Sequence, residues 1–91
     1  MAAKVRIPTP LRKLTNNEEL VEVRAGTVGA AIAELQSRYP GIQERLLDET
    51  GAVRRHIGIF VNQFHIRDRE GLDTPLQPGD AVIILPAVSG G

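Results

Sequence analysis

The sequence predicts a two-layer α+β domain: a mixed five-stranded sheet with one main helix on one face. Three observations lead there. Residues 4–7 and 19–24 alternate polar and apolar side chains, the pattern of half-buried strands. One stretch alone, residues 27–39, repeats its apolar positions at helical spacing over several turns. The run from Ala81 is apolar on both faces, which marks a central strand with a parallel neighbour.

The elements follow in order. Strand one is residues 4–7, closed by Pro8 and Pro10, neither of which can donate to a ladder. Residues 11–17 read as a loop, with Asn16-Asn17 as turn residues. Strand two, residues 19–24, turns Val21 and Val23 to one face, and the pair suggests an opening hairpin. Thr27 is a good N-cap. Val28, Ala31, Ile32, Leu35 and Tyr39 then share a helix face until Pro40-Gly41 stops it. A short second helix is expected over residues 42–48, with Ile42 and Leu46 inward, before a polar loop at 49–54. Ile57, Ile59 and Val61 make strand three. Asn62-Gln63 turns the chain into a short fourth strand at 64–66. An irregular stretch holding Leu72 and Leu76 leads to the turn Pro78-Gly79-Asp80 and to strand five, residues 81–87. The whole chain, 1–91, reads as one domain ending in a flexible tail from about residue 88.

Composition removes several function classes. Eleven basic residues balance eleven acidic ones, which argues against a nucleic-acid binder, since that needs a basic face to neutralise phosphates. Tyr39, Phe60 and Phe64 are too few aromatics for a base-stacking platform, and no nucleic-acid partner is expected. No apolar run approaches the ~18 residues of a membrane span, and no signal peptide opens the sequence. With no cysteine present, a cytoplasmic protein is the expectation.

Candidate chemistry is sparse. Gly26-Thr27-Val28-Gly29 lacks the third glycine and the later acidic residue of a dinucleotide site, and reads as a strand-to-helix turn. His56 and His65 match no metal-ligand spacing. Asp48-Glu49 and Asp68 with Glu70 do not form a calcium-loop pattern. Ser37 and Ser89 sit in no nucleophile motif. No catalytic residue, metal or resident cofactor is expected.

The terminus is where the sequence departs from a plain domain. Pro86-Ala87-Val88-Ser89-Gly90-Gly91 follows at once on the most hydrophobic strand, and glycine backbone can enter a channel too narrow for a side chain. The tail Val88, Ser89, Gly90 and Gly91 therefore reads as a segment built to be threaded into another protein. The uncovered sheet face carries a second signal. If Ile57, Ile59, Val61, Val82 and Ile84 face the helix, then Phe60, Ile83 and Leu85 face away, with His65, His56 and Gly58 nearby. Phe60, His65, Ile83 and Leu85 are the expected partner-binding patch. The rival reading folds the stretch around Leu72 and Leu76 over it.

These features together resemble the ubiquitin-like sulfur carriers of prokaryotes, which include the small subunit of molybdopterin synthase, the thiazole-synthesis carrier and the cysteine-biosynthesis carrier. The likeness runs the whole length. It rests on Val5-Arg6-Ile7-Pro8, the helix, Ile59-Phe60-Val61-Asn62, Leu76 with Pro78-Gly79-Asp80, Val82 and the Gly-Gly end. Ile7-Pro8-Thr9, Arg45-Leu46-Leu47-Asp48 and Ile84-Leu85-Pro86-Ala87-Val88 are most similar to the cysteine-biosynthesis branch. The resemblance implies a β-grasp fold and a definite chemistry. An adenylating enzyme related to ubiquitin-activating enzymes spends ATP to convert the Gly91 carboxylate into an acyl-adenylate. A sulfur donor then displaces AMP and leaves a thiocarboxylate. In the cysteine route the acceptor is a pyridoxal-phosphate synthase, and a metalloprotease releases the product. The other two branches keep the chemistry and change the pathway. A protein modifier joined to lysines through Gly91, or a plain interaction module, are readings of a different class.

Overall fold

The computed structural model describes residues 2–86. Its strands are β1 (Ala3–Arg6), β2 (Leu20–Val23), β3 (Ile57–Val61), β4 (Phe64–His65) and β5 (Ala81–Pro86). Its helices are α1 (Val28–Arg38) and the shorter α2 (Ile42–Leu46). The sheet runs in the order β2-β1-β5-β3-β4. β5 lies in the middle, parallel to β1 and antiparallel to β3. The two-faced apolar run at the end of the chain thus occupies the central strand, as its pattern predicts. The hairpin β1–β2, the single long helix and this central parallel pair make a ubiquitin-like β-grasp.

Strand parity decides which side is core. In β3 the residues Ile57, Ile59 and Val61 are buried, and in β5 so are Val82 and Ile84. α1 covers this face with Val28, Ala31, Ile32 and Leu35. The Thr27 hydroxyl accepts the Ala30 N–H at 3.1 Å, which satisfies one of the unpaired donors of the first turn. Past the helix end, the Gln36 side-chain carbonyl accepts from the N–H groups of Gly41 and Gln43, at 3.1 and 3.0 Å. One glutamine thereby fixes the entry to α2. Gly41 itself takes a left-handed φ of 104°, a conformation costly for any residue with a Cβ.

Several boundaries differ from the sequence expectation. Residues 11–17 were expected as loop, but Thr9–Leu14 forms a 3-10 helix. Its Pro10 sits at the helix start, where a missing N–H costs nothing. Leu11 is buried, and the Arg12 guanidinium donates to the Ile7 carbonyl at 3.0 Å. The following Thr15 is fully buried, its hydroxyl 2.9 Å from the Glu18 carbonyl, and Asn16 and Asn17 both take positive φ. α2 stops at Leu46 rather than at residue 48, because Asp48 turns its carboxylate onto the N–H groups of Thr50 and Ala52. β4 ends at His65, where the ring accepts from Arg67 N–H at 3.1 Å and caps a 3-10 turn at Ile66–Asp68. The irregular stretch holds a second such turn, Gly71–Asp73.

Two polar signals far apart in sequence meet at one end of the sheet. Asn62 closes the β3–β4 turn with φ 56°. Its side chain donates to Asp80 at 3.0 Å and accepts from the Ala81 N–H at 3.0 Å. Asp80 in turn accepts from Gln77 N–H at 2.8 Å. The Val-Asn and Gly-Asp signals are the two halves of one clasp between β3 and β5.

Candidate partner-docking surface

The sheet face turned away from α1 is built by register. His65 pairs with Phe60, Phe60 with Ile83, Ile83 with Arg6, and Arg6 with Leu20. Because partners directly across a ladder point to the same side, these five residues form a row across all five strands. Leu85 stands in the next row, opposite Gly58. The structure therefore brings together the four described residues named from sequence, Phe60, His65, Ile83 and Leu85. Leu85 is 50% exposed, whereas Phe60 and Ile83 are half-buried because each shields the other across the ladder. The tail residues Val88, Ser89, Gly90 and Gly91 lie outside the described residues.

Phe60 and His65 pack edge to face, with ring centroids 4.9 Å apart and planes at 62°. A pair of this kind is worth about 0.5–1.5 kcal/mol beyond its buried area. Since His65 Nδ1 accepts from the Arg67 amide, the neutral ring carries its proton on Nε2, which faces the Gly58 side of the patch. Gly58 keeps the surface between the two rings and Leu85 shallow. A Cβ there would lie 3.6 Å from the Phe60 ring, 3.7 Å from His65 Nε2 and 3.7 Å from the Leu85 carbonyl.

The rival expectation, that Leu72 and Leu76 fold over this face, is not what the structure shows. Leu76 is buried in the core and its N–H donates to the Gly26 carbonyl at 2.9 Å. Leu72 lies against α1 at Gly29, where an added Cβ would come within 3.3 Å of the Leu72 side chain. Both leucines belong to the helix side.

Two exposed apolar residues escaped the sequence reading. Leu20, 53% exposed, ends the row beyond Arg6. Its signal was the alternation that sends Val21 and Val23 inward and hence Leu20 outward. Phe64, 52% exposed, pairs with Val61 and so faces the helix side, at an edge too far out to be covered. The Arg69 guanidinium lies 3.9 Å above its ring. The row's one cation, Arg6, reaches Glu19 at 3.4 Å, both largely in solvent, so the pair adds little to stability.

Comparison with known proteins places this chain in a lineage. The sulfur carrier protein CysO of Mycobacterium tuberculosis is 43% identical over 93 residues, covering all of both chains. The crystal structure of the BexX/CysO complex of Amycolatopsis orientalis contains a chain that superposes with a TM-score of 0.92 at 41% identity, covering 99% of this chain and 100% of that one. Small archaeal modifier protein 3 of Haloferax volcanii is 35% identical over 65 residues, 71% of this chain and 70% of its own. The ThiS family matches residues 5–91, from β1 through the Gly-Gly end, and this chain belongs to it.

Proposed function

We propose that this protein is a sulfur carrier whose Gly91 carboxylate is activated as an acyl-adenylate and converted to a thiocarboxylate. The observation that carries this reading is the full-length match to carriers, which includes the Gly-Gly terminus and not the fold alone. A carboxylate is a poor electrophile and must be activated before sulfur attacks it. The carboxylate takes AMP from ATP and releases pyrophosphate. A hydrosulfide sulfur then attacks the acyl carbon, forming the C–S bond, and AMP leaves with the electron pair of the broken C–O bond. The thiocarboxylate is anionic and nucleophilic at neutral pH, as a thiolate is. A chain without cysteine can carry sulfur on its terminus alone.

In this reading the protein is a co-substrate and not an enzyme. It acts in the cytoplasm, holds no cofactor and leaves ATP to the adenylating partner. The resemblance to the CysO branch favours cysteine as the end product, through a pyridoxal-phosphate synthase and a metalloprotease. The face centred on Phe60, Ile83 and Leu85 docks these enzymes while the tail enters their active sites. The test is intact-protein mass spectrometry after incubation with the matching adenylating enzyme, ATP and sulfide. The expected product has one terminal oxygen replaced by sulfur, and only when ATP is present. An unchanged mass under those conditions contradicts the reading. The likeness to a small archaeal modifier supports a second use of the same carboxylate, as an isopeptide to lysine. Lysine conjugates ending in Gly91 in cell extracts would establish that use.

A further inference from the structure

Beside the docking face, where β3 begins, an open groove of about 530 Å³ runs between the loop before β3 and the turns after β4. Its floor is apolar, with Ile57 and Ile66 buried and Val53 and Leu72 half-buried. Its rim is cationic: Arg54, Arg55 and Arg67 line it, and no aspartate or glutamate does. In a chain with eleven basic and eleven acidic residues, that is a local concentration of one sign. None of the three arginines forms a salt bridge among the described residues. Arg54 is partly spent, since its guanidinium donates to the Glu44 carbonyl at 2.8 Å and its charge helps hold the Asp48 carboxyl below its ordinary value. Arg55 and Arg67 are exposed at the rim.

Two further facts say what occupies the groove. Ile57, on its floor, is the ladder partner of Pro86, so the last described residue of β5 lies at the groove's edge. Gly58 and His65 line both the groove and the docking face, making the two surfaces continuous. A partner that covers Phe60 and extends past Gly58 and His65 toward Pro86 reaches the arginine rim at Arg55 and Arg67. A neutral or basic partner surface there would leave these guanidinium groups uncompensated as water is expelled.

We propose that the groove between the pre-β3 loop and the turns after β4 receives an acidic segment of the adenylating enzyme that takes the tail. The carboxylates of that segment pair with Arg55 and Arg67, and an apolar side chain beside them rests on Ile57 and Ile66. The inference rests on the sulfur-carrier reading and adds to it a charged contact outside the apolar face. Such a contact steers encounter and weakens with salt, because exposed charges are screened over about 8–10 Å at ordinary ionic strength.

The experiment uses the full chain and the matching adenylating enzyme in an ATP–pyrophosphate exchange assay at low and high ionic strength. The paired variant Arg55→Glu/Arg67→Glu is compared with Lys13→Glu/Arg24→Glu, an equal charge change on exposed residues by β2, at the far edge of the sheet. The groove pair should raise KM about tenfold at low salt, with kcat changed little and the salt dependence of KM flattened. The distant pair should change KM less than about twofold. Arg55→Lys/Arg67→Lys should retain most of the affinity, since the charge remains. Equal KM values for the two reversed pairs, with the native chain active, overturn the groove contact and leave the carrier reading standing. A native chain that supports no exchange overturns both.

Discussion

Replacing Phe60 with alanine tests the proposed docking role apart from folding, because Ile59 and Phe60 of β3 point to opposite faces of the sheet. Ile59 is fully buried against α1, and Ile59→Ala should cost about 2–5 kcal/mol, the usual range for emptying a packed core site. Phe60, on the opposite face, is half-buried and loses mainly its edge-to-face contact with His65 and its cover on Ile83. That contact is worth about 0.5–1.5 kcal/mol, and with partial burial the loss comes to roughly 1–2 kcal/mol. For a domain of this size the corresponding Tm shift is about 4–16 °C. At an interface, a central aromatic anchor commonly contributes about 2 kcal/mol or more, which is at least about thirtyfold in affinity. Phe60→Ala should thus remain folded in urea titration while its KM with the adenylating enzyme rises about thirtyfold. Ile59→Ala should do the reverse, losing stability with little change in KM for the molecules still folded. A Phe60→Ala protein that loses as much stability as Ile59→Ala, or that activates like the native chain, refutes the assignment of this face.

Two smaller predictions test local features. Thr27→Ala removes the acceptor for the Ala30 N–H and should cost about 1 kcal/mol, lowering Tm by roughly 4–8 °C, while Thr27→Ser restores it and neither changes sulfur loading. The Asp48 carboxyl is held below its ordinary value of 3.8, first by the Thr50 hydroxyl, then by the Thr50 and Ala52 amides and the Arg54 charge. A lowered native value means stability present above 3.8 and lost as pH falls through the native value below it. Urea titrations across that acid range should show the native chain losing stability more steeply than Asp48→Asn, and parallel curves would count against the linkage.

Much of this architecture was legible in the sequence because it rests on periodicity. Alternation at Ile57, Ile59 and Val61 set the inward face of β3, and the burial of the same three residues follows it. The helix face and its Thr27 cap were likewise local properties, readable without knowing what they pack against. The 3-10 helix at Thr9–Leu14 was not legible, since two prolines argue for loop and nothing local reveals that Leu11 will be buried. The early stops of α2 and β4 depend on single side chains, Asp48 and His65, turning back onto backbone amides. The proposed docking face was half legible. Parity gave Phe60, Ile83 and Leu85, but Leu20 and Arg6 joined it through strand order, which pattern alone does not supply. The arginine groove was hidden for the same reason: Arg55 and Arg67 are far apart in sequence and meet only when β4 pairs with β3.

The central claim concerns one atom group, the carboxylate of Gly91, and appending one alanine after Gly91 tests it most directly. The extension leaves every described residue of the fold untouched, so the Tm should stay within about a degree. The native and extended chains are incubated side by side with the adenylating enzyme, ATP and sulfide, and their intact masses are compared. The account predicts that the native chain exchanges one oxygen for sulfur and that the extended chain does not, because its carboxylate no longer lies where the activating site holds Gly91. Equal loading of the two chains would contradict it.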